Sequence, residues 1–143
     1  MNPAKLAITG MVLVTIATPP APAMSQEAWP LCGRDKRVTC IVDGDTFWYR
    51  RVKYRVENID APEAGEGAQC GRERALADEA THYFQMLMRG PNLQFEEMGK
   101  DRYGRILARV ATSDGDIGER MIARGLARAY EGGHRNRGYW CQR

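Results

Sequence analysis

Three short runs in this chain place acids and arginines at a spacing that suits phosphate chemistry. They are Asp43-Gly44-Asp45-Thr46, then Arg55 followed by Asp60-Ala61-Pro62-Glu63, then Asp101-Arg102-Tyr103-Gly104-Arg105. Carboxylates from two separate places can hold a hard cation such as Ca2+, which takes oxygen ligands. Arginines from two further places can clamp a phosphate, because the planar guanidinium presents paired donors to two oxygens. A remaining carboxylate, Glu63, is left to handle a water molecule. Together these are the parts needed to hydrolyse a phosphodiester.

Each run is a weak signal alone. Asp-Gly-Asp most often marks a solvated acidic turn. If a strand runs through it, Asp43 and Asp45 project on one face and Gly44 lets the backbone bend toward an ion. Pro62 holds Ala61 extended, so that the Ala61 carbonyl can face a ligand. With 17 arginines in the chain, any one of them is ordinarily a surface residue. The order of the three runs carries the reading.

In that order, between about Val38 and about Tyr130, they resemble the thermonuclease family, the staphylococcal-nuclease-like domains. The resemblance implies that Asp45 and Asp60 ligate Ca2+ directly, that the Ala61 carbonyl is a third ligand, and that Asp43 acts through a metal-bound water. The family often has threonine where Ala61 stands; because the ligand there is main chain, the departure is expected to matter little. Glu63 is then the candidate general base. Arg55 and Arg105 bind the scissile phosphate and stabilise the charge that gathers on its oxygens, and Arg105 is also placed to protonate the leaving oxygen. Tyr103, Lys53 and Tyr130 are expected substrate contacts, with Lys100 and Arg102 at the rim. A strand-edge core role is the alternative for Tyr103.

The implied reaction is Ca2+-dependent hydrolysis of DNA and RNA, single strands preferred, with water attacking phosphorus and the 5′ oxygen leaving, so that products end in 3′ phosphates. Metal ligands and a phosphate clamp read no base identity, and the chemistry needs no 2′ hydroxyl. A monomeric enzyme is expected. One alternative comes from another class: an inactive OB module that binds single strands or a protein partner. Loss of motif residues would signal that, and Asp45, Arg55, Asp60, Glu63 and Arg105 are all present. A histidine-pair ribonuclease is disfavoured, since His82 and His134 have no partnering motif near either.

The elements that must position these groups are legible in outline. Val38 to Val42, Thr46 to Tyr49 and Val52 to Val56 are rich in β-branched and aromatic residues and read as three antiparallel strands. Ala64 to Gly71 reads as a loop. Leu76, Ala80, Phe84, Leu87 and Met88 recur at helical spacing until Gly90-Pro91, with Arg72, Glu73, Asp78 and Glu79 on the wet side. Strands are expected at Leu93 to Met98 and Ile106 to Ala111, and a short helix from about Ile117 to Arg124 with Gly125 as its C-cap. Five strands and two or three helices make a β-rich α+β domain, and the resemblance implies a five-stranded OB-fold barrel.

Residues 1–23 read as a cleavable secretory signal: Lys5 is their only charge, Leu6 to Thr18 is apolar or small, and Ala21-Pro22-Ala23 suits a signal peptidase. Thirteen such residues fall short of the roughly 20 a membrane span needs. Residues 24–37 then form an irregular N-terminal segment, 38–131 the OB domain and 132–143 a tail. Removing the signal leaves 20 Lys and Arg against 18 Asp and Glu, too weak a bias to argue for a polyanion by itself. Four cysteines beyond the signal suit an oxidising compartment, periplasmic or extracellular, and no CxxC pair points to zinc. Of the three possible connectivities the favoured one joins Cys32 to Cys40 locally and Cys70 to Cys141 across the domain, tying down the tail.

Overall fold

The computed structural model describes residues 29–142. The segment read as a signal, and the first part of the segment that follows it, lie outside the described residues. Strands β1 (Cys40–Ile41), β2 (Thr46–Tyr49) and β3 (Val52–Val56) form the expected antiparallel meander. β3 then takes β6 (Ile106–Thr112) as a parallel neighbour, and β5 (Gln94–Lys100) pairs antiparallel with β6. The order is β1-β2-β3-β6-β5, with β7 (Gly115–Asp116) as an extra partner of β6. The domain is β-rich α+β with the partly open OB layout. Its sheet is mixed and does not close into a full barrel among the described residues, since β5 has no pairing back to β1.

Phe47 fills the centre of the core and is fully buried. Its ring stacks on Tyr54 at 5.2 Å and lies 5.7 Å from both Trp29 and Phe95. Helix α1 (Gly71–Met88) closes one side with Ala77, Ala80, Phe84 and Leu87, and α2 (Ile117–Ala123) adds Ile117 and Met121. Gly125 takes φ +76° after α2, where its amide bonds the Ile122 carbonyl at 2.9 Å, which is the expected C-cap.

Besides the open sheet and a first strand cut to Cys40–Ile41 from the expected Val38 to Val42, three further features differ from expectation. Residues 65–67 make a short 3-10 turn inside the predicted loop. A separate antiparallel pair joins β4 (Ile59–Asp60) to β8 (Arg128–Ala129), setting Asp60 opposite Arg128. Two-residue strands are too short to show a period-2 pattern. Finally, Glu73 is not on the wet side of α1 but 2% exposed, because 73, 77, 80 and 84 form a single stripe on the helix.

Both favoured disulfides are present, Cys32–Cys40 and Cys70–Cys141. The second fastens a 3-10 turn at Tyr139–Cys141 to the start of α1, where Cys70 is also the N-cap. In the chain-entropy picture a loop of this size is worth about 4 kcal/mol.

Candidate active site

Asp43 and Asp45 do not lie on a continuing strand. β1 ends at Ile41 and β2 begins at Thr46, so the two acids sit on the turn between them. The Asp45 amide donates to Asp43 Oδ1 at 3.1 Å, and Asp45 in turn accepts from Thr46 Oγ1 at 2.9 Å and from the Ala61 amide at 3.1 Å. Gly44 serves packing here. A Cβ on it would stand 2.9 Å from the Cβ atoms of Ala61 and Ala80, so only glycine lets the turn press against the Asp60-Ala61 segment and α1 together.

Arg55 leaves β3 beneath this turn and is 6% exposed. Its Nη2 donates to the Ile59 carbonyl at 2.8 Å and to Asp45 Oδ2 at 3.3 Å, and lies 3.9 Å from Asp60 Oδ1. One guanidinium nitrogen thus gathers the two carboxylates expected to hold the cation. The Tyr130 ring covers the guanidinium at 5.6 Å, and the Tyr130 hydroxyl donates to the Gly133 carbonyl at 2.7 Å.

Two further arginines reach the same acids. Arg128, across the β4–β8 pair, gives Nε and Nη2 to Asp60 Oδ2 at 2.9 and 2.8 Å while lying over the Tyr139 ring at 4.3 Å. Arg135, from the tail, bonds Asp60 Oδ1 with one nitrogen and Glu63 Oε1 at 2.7 Å with the other. Sequence reasoning missed both, since neither falls in a motif. Glu73 is a third omission. Its buried carboxylate accepts from the Glu63 amide at 3.2 Å and from the Gln69 amide at 2.7 Å, pinning both ends of the 63–69 segment to the first turn of α1. That turn suits a negative charge, because its amides point toward it.

Arg105 is held from within its own run. Asp101 accepts from Arg105 Nε at 2.7 Å and from the Tyr103 and Arg105 amides at 2.9 and 3.0 Å, with Gly104 at φ +78° completing the turn. Burial works against the Asp101 charge, but these donors prevail and hold its carboxyl below the usual range. Tyr103 is 69% exposed, which removes the core alternative.

Arg55, Asp60, Glu63, Tyr103, Arg105 and Tyr130 all line one open cleft of about 1000 Å³. Lys53 and Lys100 are not among its lining residues, whereas Arg102 is. Asp43, Asp45 and Ala61 lie outside the lining, Asp45 held to it through Arg55. The donor set is oxygen only, which suits Ca2+. Burial, then Asp45 and Glu63, push the Asp43 carboxyl up to about 7. No three His, Cys, Asp or Glu side chains converge as a metal site among the described residues. Asp60 and Glu63 are turned to Arg135 instead, so the donors fit a cation in kind once that side chain yields.

The sequence pattern of the staphylococcal nuclease homologues matches residues 53–140, a span that holds Arg55, Asp60, Ala61, Glu63 and Arg105 and starts after Asp43 and Asp45. The chain is similar to a Haemophilus influenzae protein named uncharacterized endonuclease, 33% identical over 108 residues that cover 70% of this chain and 56% of that one. An Escherichia coli protein of the same name is 32% identical over 111 residues, 73% of this chain and 67% of that one. A succinoglycan biosynthesis protein of Rhizobium meliloti is 31% identical over 96 residues, 61% and 48% of the two chains. The chain spans about half to two thirds of the length of these curated relatives. With the OB layout and a match over more than half its length, this chain belongs to the family of staphylococcal nuclease homologues.

Proposed function

We propose that this chain is an exported, Ca2+-dependent nuclease that hydrolyses phosphodiester bonds of DNA and RNA, single strands preferred, and leaves 3′ phosphates. The observation that carries the reading is the gathering of Arg55, Asp60, Glu63 and Arg105 around one cleft, with Asp45 bonded to Arg55. In this reading Asp45, Asp60 and the Ala61 carbonyl hold the cation, with Asp43 acting through water. The bound cation supplies Lewis-acid polarisation of the scissile phosphate. Glu63 orients the attacking water and accepts its proton. Arg55 and Arg105 neutralise the charge that develops on the phosphoryl oxygens as the bond to the 5′ oxygen breaks, and Arg105 faces the leaving oxygen. Tyr103 and Tyr130 border the substrate.

Two disulfides suit export to an oxidising compartment, and no helix among the described residues is long and apolar enough to cross a membrane. One observation favours the second reading, an inactive nucleic-acid-binding module: Asp60 and Glu63 are both engaged by Arg135. The deciding experiment incubates the oxidised protein with heat-denatured DNA, with Ca2+ or with excess chelator. Degradation in Ca2+ alone is expected. Chelator-resistant cleavage would sink the metal assignment, and binding without cleavage under every divalent ion would establish the module.

A further inference from the structure

The outer face of the β1–β2–β3 meander carries cations and an aromatic ring that the cleft does not use. Phe47 and Tyr54 stack on each other in the core, so Trp48, Lys53 and Arg55 point to the opposite face of the sheet. Cys40, Trp48 and Lys53 are successive cross-strand partners and form one row on that face. Arg55, two residues beyond Lys53, lines the cleft, and Arg51 lies two residues before it at the hairpin tip. At about 3.3 Å per residue this strip runs about 13 Å from the cleft to the tip. Trp48 is half-buried, with its indole Nε1 turned inward and lacking a hydrogen-bond partner, so that only part of its ring surface is open.

A second basic segment is fastened to the same row. The Cys32–Cys40 bridge closes a loop holding Arg34, Lys36 and Arg37, all exposed, against the single acid Asp35. The Arg51 amide donates to the Val38 carbonyl at 2.9 Å and the Arg50 amide to Thr39 Oγ1 at 3.3 Å, so loop and hairpin tip are held together. Arg50 lies over the Tyr49 ring at 5.0 Å. Among the described residues, none of Arg34, Lys36, Arg37, Arg50, Arg51 and Lys53 makes an ion pair.

The tip is also strained. Arg50 and Arg51 have φ +49° and +70°, and they are the two central residues of a two-residue hairpin. Left-handed geometry at both positions favours Asn-Gly and disfavours any longer side chain. Two arginines held there at a cost in stability are a mark of function.

We infer that this face is a second binding surface, for the length of single-stranded polynucleotide that extends beyond the cleft. The inference rests on the nuclease reading for its choice of partner. Guanidinium groups take the phosphate backbone and Trp48 offers a stacking platform, the combination that single strands use. Substrates long enough to reach the tip gain affinity, while a trinucleotide confined to the cleft does not.

The test compares the native protein with Arg50→Asn/Arg51→Gly and with Arg34→Ser/Lys36→Ser, measuring affinity for a long thymidine strand across a salt series in chelator, so that no strand is cut. Both variants are expected to bind the long strand more weakly, with the salt slope shallower by about 0.7 for each phosphate that is no longer neutralised. Trinucleotide turnover in Ca2+ is expected to be unchanged. The hairpin variant is also expected to melt higher than the native protein, because Asn and Gly adopt the positive φ of this turn with less steric cost than Arg. A native salt slope in both variants would overturn the inference, as would an equal loss on the trinucleotide. Loss of affinity for heparin or anionic vesicles with oligonucleotide binding intact would also overturn it, in favour of another polyanion. A native protein that cleaves nothing would remove the nuclease reading and leave this binding test standing.

Discussion

Arg135 reaches from the C-terminal tail to donate to Glu63 Oε1 at 2.7 Å, and its other terminal nitrogen bonds Asp60. A guanidinium and a divalent cation therefore compete for the same oxygens. Arg135→Ala is expected to bind Ca2+ about fivefold more tightly by calorimetry, the scale of one partly exposed ion pair. Weaker binding would show that Arg135 organises the cation site instead of contesting it.

Glu73 fixes where Glu63 stands, through the Glu63 amide at 3.2 Å. Glu73→Gln keeps the shape but loses one of two acceptors. A displacement of about 1 Å at a reacting group can lower turnover about a hundredfold. Turnover is expected to fall on that scale while KM holds, and to fall little further when Glu63→Gln is added. Additive losses in the double variant would show that Glu73 acts elsewhere.

Asp45 and Ala61 separate a charged ligand from a main-chain one. Asp45→Asn is expected to lose Ca2+ affinity by well over tenfold. Ala61→Thr is expected to stay within about tenfold, or roughly 1.4 kcal/mol. Much tighter binding in Ala61→Thr would mean that the native site lacks a ligand.

Asp101 holds Arg105 and has its pKa lowered in the fold. A depressed carboxyl adds stability that is full above its unfolded value, about 3.9, and is lost as pH falls through the lower folded value. Urea titrations are expected to show Asp101→Asn less stable than the native protein at pH 6, with the gap closing toward pH 3. A gap that persisted at low pH would have another origin.

Export and oxidation are checked together by intact mass. The mature protein is expected to begin at Met24 and to weigh four hydrogens less than its reduced form. Two alkylatable thiols in the unfolded, unreduced protein would mean that only one bridge forms.

The meander, the long helix and the three motif runs were legible because they are local. Period-2 and period-3.6 patterns and turn residues act over a few positions, and α1 shows its stripe at Ala80, Phe84, Leu87 and Met88 without help from the rest of the chain. That the four cysteines would pair was legible in their even number, whereas which ones pair was settled by the packed chain, which joins Cys32 to Cys40 and Cys70 to Cys141. Tertiary structure alone decided what surrounds the acids. Arg128 lies 68 residues from Asp60 in sequence and Arg135 lies 72 from Glu63, and no local pattern marks such a pair. Likewise Glu73 reads as a wet-face acid until the 63–69 segment folds back to offer it two amides. Gly44 reads as a hinge until Ala61 and Ala80 close on it. Burial and charge pairing depend on which segments meet, and only the packed chain determines that.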